Sequence, residues 1–129
     1  MFIKVRRAFT LLTVLFLLGL FTLPALYLRD RCAELNELCG QVLFAARSGD
    51  AVEAQRTYVA LLTQYEALRR KAELFLNHTV MDDATAPLRE MDVYLKTGDA
   101  PALEAAAVRF RLALDCMLAV ETGDLRLLL

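Results

Sequence analysis

Glycine and proline are scarce in this chain, with five Gly and three Pro among 129 residues. Few points are left for tight turns, and no Gly-rich loop of the kind that cradles phosphate is present. Ala, Leu, Glu and Arg are plentiful instead, a composition that favours helices over a sheet. Tryptophan is absent, and His78 is the sole histidine. A zinc site normally takes three or four protein ligands; His78 has Asp82 and Asp83 nearby but no second His and no Cys cluster. No metal ligand set and no cofactor are therefore assigned. Ser48 is the only serine and sits in a helix-ending turn, so a Ser-His-Asp nucleophile is not expected. The residue types of catalysis are too thinly spread to suggest an enzyme.

A surplus of positive charge is also missing where it would matter. Three of the 15 basic residues (Lys4, Arg6, Arg7) precede Arg29, leaving 12 against 16 acidic residues from there on, a balance of −4. No basic stripe is available to hold nucleic acid.

The one long apolar run is at the start. Ala8 to Leu28 is 21 residues without a charge, and 13 of them are Leu, Phe or Val. As a helix it is about 31 Å long, roughly the thickness of a bilayer core. Its insertion is favourable by roughly 3–6 kcal/mol. Lys4, Arg6 and Arg7 ahead of it outweigh Arg29-Asp30-Arg31 behind it, which keeps the N-terminus cytoplasmic and the rest outside. The expectation is a single-pass cell-membrane protein, with residues 1–28 as anchor, contacting membrane lipid through residues 8–28, and residues 29–129 as an extracytoplasmic domain.

Three alternatives compete for that segment. A cleaved signal usually has a shorter apolar region and small residues before the cut, whereas Leu23-Pro24-Ala25 lacks the A-x-A pattern. Arg6-Arg7 resembles a twin-arginine signal in a very short leader. Ala8-Phe9-Thr10-Leu11-Leu12-Thr13 resembles a pilin leader, with Ala8 and Thr13 in place of the usual Gly and Glu. A pilin-like assembled component is thus an alternative reading, and it would need a sheet in its head.

Beyond the anchor, apolar residues recur at helical spacing. Cys32, Leu35, Cys39, Val42 and Ala46 form the first seam, ending near Arg47. Ser48-Gly49-Asp50 then supplies a helix-ending Gly and a capping Asp, with Glu53 as capping-box partner. Ala54, Tyr58, Leu61, Tyr65, Leu68, Ala72 and Phe75 form the second seam. The dense charges from Glu66 to Glu73 lie off it, as a solvated face does. A third helix takes Met81 or Ala84 through Leu88, Met91 and Leu95, its regular part starting near Thr85 because Pro87 belongs in a first turn. Thr97-Gly98-Asp99 repeats the junction, and Leu103, Ala107, Phe110, Leu114 and Met117 form the fourth seam.

Asp50 and Asp99 are 49 residues apart, and aligning them superposes the seams: Ala54 on Leu103, Tyr58 on Ala107, Leu61 on Phe110, Tyr65 on Leu114. Short connections make consecutive helices antiparallel. The fold class is therefore all-α: an N-terminal transmembrane helix continuing into an antiparallel up-down bundle of about four helices, arranged as two related hairpins.

Tyr65 with His78 thirteen residues on, inside Phe75-Leu76-Asn77-His78, resembles a family of short bacterial membrane proteins classed as a domain of unknown function. The likeness continues through Leu88, Tyr94-Leu95, Gly98-Asp99 and the stretch ending at Glu121. That family usually has Trp at the position of Tyr65 and Asn-Ile near the end, where this chain has Leu-Arg-Leu-Leu-Leu. The resemblance implies one N-terminal membrane segment and a helical domain, and it brings no activity or cofactor.

The functional expectation is a non-enzymatic accessory or interaction protein; the alternative is a metal- or ligand-binding bundle. Candidate interaction residues are Tyr65, Phe75, His78, Leu127, Leu128 and Leu129, the last three in an apolar tail at the membrane-near end. The partner would be lipid headgroups, another membrane protein or a second copy of the chain. Cys32 and Cys39, about 10 Å apart on one helix, are too distant to bridge. Cys32 and Cys116 lie at similar depths below the outer end, about 22 and 24 Å, and are a candidate disulfide in an oxidising compartment. Buried free thiols are the alternative.

Overall fold

Asp50 and Asp99 each end one helical connection and begin the next helix. In the computed structural model, α1 (Phe2–Arg47) and α2 (Ala51–Ala72) meet at the first junction, and α3 (His78–Thr97) and α4 (Ala100–Glu121) meet at the second. The structure describes residues 2–73 and 78–121, excepting the side chains of residues 21, 22, 24, 25, 78, 120 and 121. Among the described residues there is no strand, so the sheet that a pilin head carries is not found among them.

The two junctions share one geometry. Gly49 has φ 77° and Gly98 φ 72°, the left-handed region that a Cβ disfavours. The next N–H then reaches back five residues: Asp50 donates to the Ala45 carbonyl at 3.0 Å and Asp99 to that of Tyr94 at 3.1 Å. Gly49 N–H also donates to the Ala46 carbonyl, which completes a Schellman turn at the end of α1. Each Asp side chain then caps the following helix, Asp50 Oδ1 accepting from Glu53 N–H and Asp99 Oδ1 from Ala102 N–H. The expected capping box is half formed. Glu53 turns its carboxylate to Arg56 at 2.8 Å instead of to the Asp50 N–H, which Ala45 already occupies.

The four helices form a ring in which α1 neighbours α2 and α4, and α3 neighbours α4 and α2. Packing is closest within each hairpin and thinnest between α2 and α3. The four seams converge as read: Cys32, Leu35, Cys39 and Val42, Tyr58, Leu61, Tyr65 and Leu68, Met81, Leu88 and Met91, and Leu103, Phe110, Leu114 and Met117 are all buried. Ion pairs tie the outside, Arg47 to Glu104 at 2.6 Å between α1 and α4, and Arg109 to Glu90 between α4 and α3. Exposed pairs of this kind are screened by solvent and add little to stability.

α3 departs from expectation. It begins at His78, so Pro87 falls in its middle and not in its first turn. Proline removes one helical N–H, leaving the Asp83 carbonyl without that partner. Asp83 is exposed, so water can reach the residue, and burial of Met81 and Ala84 holds the preceding turns in the helix.

α1 continues without interruption from the apolar segment into the bundle. Phe9, Leu11, Leu12, Leu15, Phe16, Leu18 and Leu23 stay exposed along it, whereas Leu28 is fully buried. Among the described residues no helix is long and apolar enough to cross a membrane. The uncharged stretch preceding the undescribed side chains, residues 8–20, spans only about 20 Å.

Replacing Gly49 or Gly98 by Ala is expected to lower stability by about 1 kcal/mol per site. Asp50→Ala should cost about 1 kcal/mol. Chemical denaturation of the full-length protein, followed by helical circular dichroism, measures both; unchanged midpoints would contradict the described turns.

Buried polar site and candidate surfaces

The sparsely packed face between α2 and α3 is bridged by two tyrosines from α2. Tyr58 Oη donates to the Leu88 carbonyl at 2.7 Å, and Tyr65 Oη lies 2.8 Å from the Met81 carbonyl and 2.7 Å from Thr85 Oγ1. Thr85 Oγ1 is itself 2.8 Å from the Met81 carbonyl. Those three oxygens make three contacts but carry only two hydroxyl protons, so two hydrogen bonds form at a time. In either arrangement every hydroxyl proton has an acceptor, which removes the desolvation cost of burying these groups. The Tyr65 ring meets Phe110 of α4 edge-on, centroids 5.8 Å apart. Tyr65 thus links three helices at the centre of the core.

Tyr65, a candidate interaction residue, has its side chain fully buried, which leaves no part of it for a partner to touch. The signal was present in the sequence, since Tyr65 lies on the second seam. His78 opens α3, but its side chain is outside the described residues, as are Phe75 and Leu127, Leu128 and Leu129. Asp82, one turn on from His78, is 3.9 Å from Arg69. Among the described residues no group of three or more His, Cys, Asp or Glu is placed to hold a metal.

The Cys32–Cys116 disulfide is not formed. All three cysteines are free; Cys32 and Cys39 are buried and Cys116 is exposed. Met117 carries the seam of α4, and Cys116, one residue earlier, turns about 100° from it. It borders an open depression with Val80 and Asp83 of α3 and Arg109 and Leu112 of α4, on a side of the bundle away from α1. Equal depth along two helices leaves the rotation of each about its axis unspecified.

Burial pushes the Cys32 thiol up to about 11, with Asp115 adding to the shift. Burial likewise raises Tyr58 to about 12, Asp92 contributing. Cys39 is raised by burial as well, opposed by Arg111. Arg111 reaches across from α4 to donate to the Asn36 carbonyl at 3.1 Å, and a Cβ on Gly40 would meet its Nη2 at 3.0 Å. Gly40 thus leaves space for a guanidinium between α1 and α4.

At the turn end of the bundle is a cavity of about 130 Å³. Its walls pair across the 49-residue offset: Ala46 with Leu95, Gly49 with Gly98, Ala51 with Ala100, Ala54 with Leu103, and Tyr94 completes it. The two hairpins therefore meet here in a pseudo-twofold relation. Phe44 and Val52, 73% and 81% exposed, lie near the same turn in sequence.

The chain matches no protein-family model, no curated protein sequence and no solved structure. The family resemblance consequently rests on its sequence motifs alone.

Tyr65→Phe is expected to cost about 1 kcal/mol, since Thr85 can still donate to the Met81 carbonyl. Tyr65→Ala should cost about 3–5 kcal/mol through the cavity it leaves beside Phe110. Equal losses in the two variants, measured by urea denaturation, would exclude this division of roles.

Cys32 and Tyr58 also set an alkaline limit. Their folded pKa values exceed the ordinary thiol and phenol values, so the folded state holds protons that the unfolded chain releases. Their stabilising contribution is complete below about pH 9 and falls as pH rises through 9 to 12. Thermal midpoints should fall across that range, less steeply in Cys32→Ala; an identical pH slope in the variant would refute the assignment.

Proposed function

We propose that this protein is a membrane-anchored, non-enzymatic interaction module: a single-pass anchor at residues 8–28, with the N-terminus cytoplasmic and the helical bundle outside. The observation that carries this reading is the change in exposure along the unbroken α1. Phe9, Leu12, Leu15 and Phe16 are 64–71% exposed, followed by Cys32, Leu35 and Cys39 in the core. An apolar surface of that length on a soluble monomer would far exceed its usual patches. Lipid acyl chains cover it in this reading, and the 21-residue uncharged run in the sequence matches a bilayer core. Basic Lys4, Arg6 and Arg7 at the head of the helix give the orientation.

The interaction role draws on the core's chemistry. Cys32, Cys39, Tyr58 and Tyr65 all have pKa values raised by burial, away from the range useful for proton transfer near neutrality. The tyrosine hydroxyls are engaged with α3. These groups hold helices together, while Phe44 and Val52 offer apolar contact near the membrane-distal turn. Membership of the short bacterial membrane-protein family resembled by the Tyr65–His78 motif is part of the same proposal.

Membranes from cells producing the native chain should retain it through an alkaline carbonate wash, at the full-length mass. Protease added to the extracytoplasmic side should digest the bundle. Release by carbonate, loss of about 25 N-terminal residues, or protection of the bundle from outside would each overturn the proposed topology.

A further inference from the structure

Where the exposed apolar side chains of α1 give way to the core, an aromatic ring is flanked by two cations. Leu26 is half exposed and Leu28 fully buried, with Tyr27 half-buried between them. Lys71 Nζ, from the last turn of α2, lies 5.1 Å from the Tyr27 ring centroid, and Arg31 Cζ lies 5.7 Å from it. Such contacts draw each cation to the negative face of the ring. The antiparallel course of α2 brings Arg69, Arg70 and Lys71 to this end of the bundle.

The local charge is unevenly matched. Arg31 is paired with Glu34 at 2.9 Å, though its Nε is buried without a hydrogen-bond partner. Arg69 faces Glu73 at 3.4 Å and Asp82 at 3.9 Å. Lys71 has no carboxylate within ion-pair distance among the described residues; its ammonium is directed to the face of Tyr27. Asp30 is exposed beside Arg29 on α1. Two cations drawn to one ring repel each other, and an anion near Tyr27 would relieve that repulsion.

Resting on the anchor reading, we infer that Tyr27, Lys71 and Arg31 form a seat for the phosphodiester headgroup of a membrane phospholipid. The depth fits, because the ring sits at the end of the uncharged run, where headgroups begin. Tyrosine is favoured at that level for its apolar body and polar tip, and Lys and Arg for their reach to phosphate. The seat is continuous with the acyl-covered face of α1, so one lipid can occupy both. It also gives Lys71, within the dense α2 charge run, a role beyond solvation.

The chain has only three lysines, Lys4, Lys71 and Lys96, which makes a direct test simple. Lys96 is paired with Asp92 at the opposite end of the bundle and serves as an internal control. The full-length protein, ¹⁵N-labelled at lysine side chains, is placed in bilayers of phosphatidylglycerol and phosphatidylcholine. Solid-state NMR then reads ³¹P dephasing of each ammonium signal.

Lys4 and Lys71 are expected to dephase and Lys96 not. Lys71→Gln should remove one dephasing signal while retaining helical circular dichroism. Tyr27→Leu should reduce the Lys71 effect at least twofold. Absence of Lys71 dephasing while Lys4 dephases overturns the seat and leaves the anchor standing. Failure of the chain to sediment with the bilayers overturns the anchor, and the seat with it. In maltoside micelles with inorganic phosphate, Lys71 should not dephase; equal dephasing there would mean a free-phosphate site and overturn the lipid assignment.

Discussion

The bundle depends on two chain reversals that require a left-handed backbone. Gly49 and Gly98 supply that conformation, and the aspartate after each does two jobs. Its N–H closes the helix behind, and its carboxylate opens the helix ahead. With no residue between these roles, each pair of helices leaves its turn already antiparallel. The apolar seams then need only the correct rotation to meet. This is why packing is densest within the hairpins and why the interface between them needs other means.

Those means are polar. The α2–α3 interface is spanned by Tyr58 and Tyr65, whose hydroxyls bond carbonyls on either side of Pro87. Hydrogen bonds are directional where apolar contact is not. They therefore fix the register of one hairpin against the other where side-chain interdigitation is sparse. Tyr65 adds the edge contact to Phe110, so the same residue orients α4. A Tyr at this position has a reason beyond bulk.

Most of the fold was legible because burial follows a 3.6-residue period, and every seam residue from Tyr58 to Leu68 is in the core. Gly-Asp pairs marked the junctions for an equally local reason. What local pattern does not carry is rotation about the helix axis and the balance of tertiary against local terms. Cys116 had the right depth and the wrong azimuth. Pro87 argued for a late start to α3, yet burial of Met81 and Ala84 outweighed one lost hydrogen bond. Tyr65 was read at once as a seam residue and as a candidate for interaction, and its full burial leaves it the first role. The Lys71–Tyr27 contact joins residues 44 positions apart and had no local signature.

The continuity of α1 has a mechanical consequence. A helix of 46 residues without a break is a rod about 69 Å long. Turning or tilting one end is passed to the other through the continuous helix, in which Pro24 removes a single backbone hydrogen bond. In the proposed topology the bundle cannot swing on a tether. It would point where the membrane sets it, and any torque applied to the bundle would be felt at the opposite face of the bilayer.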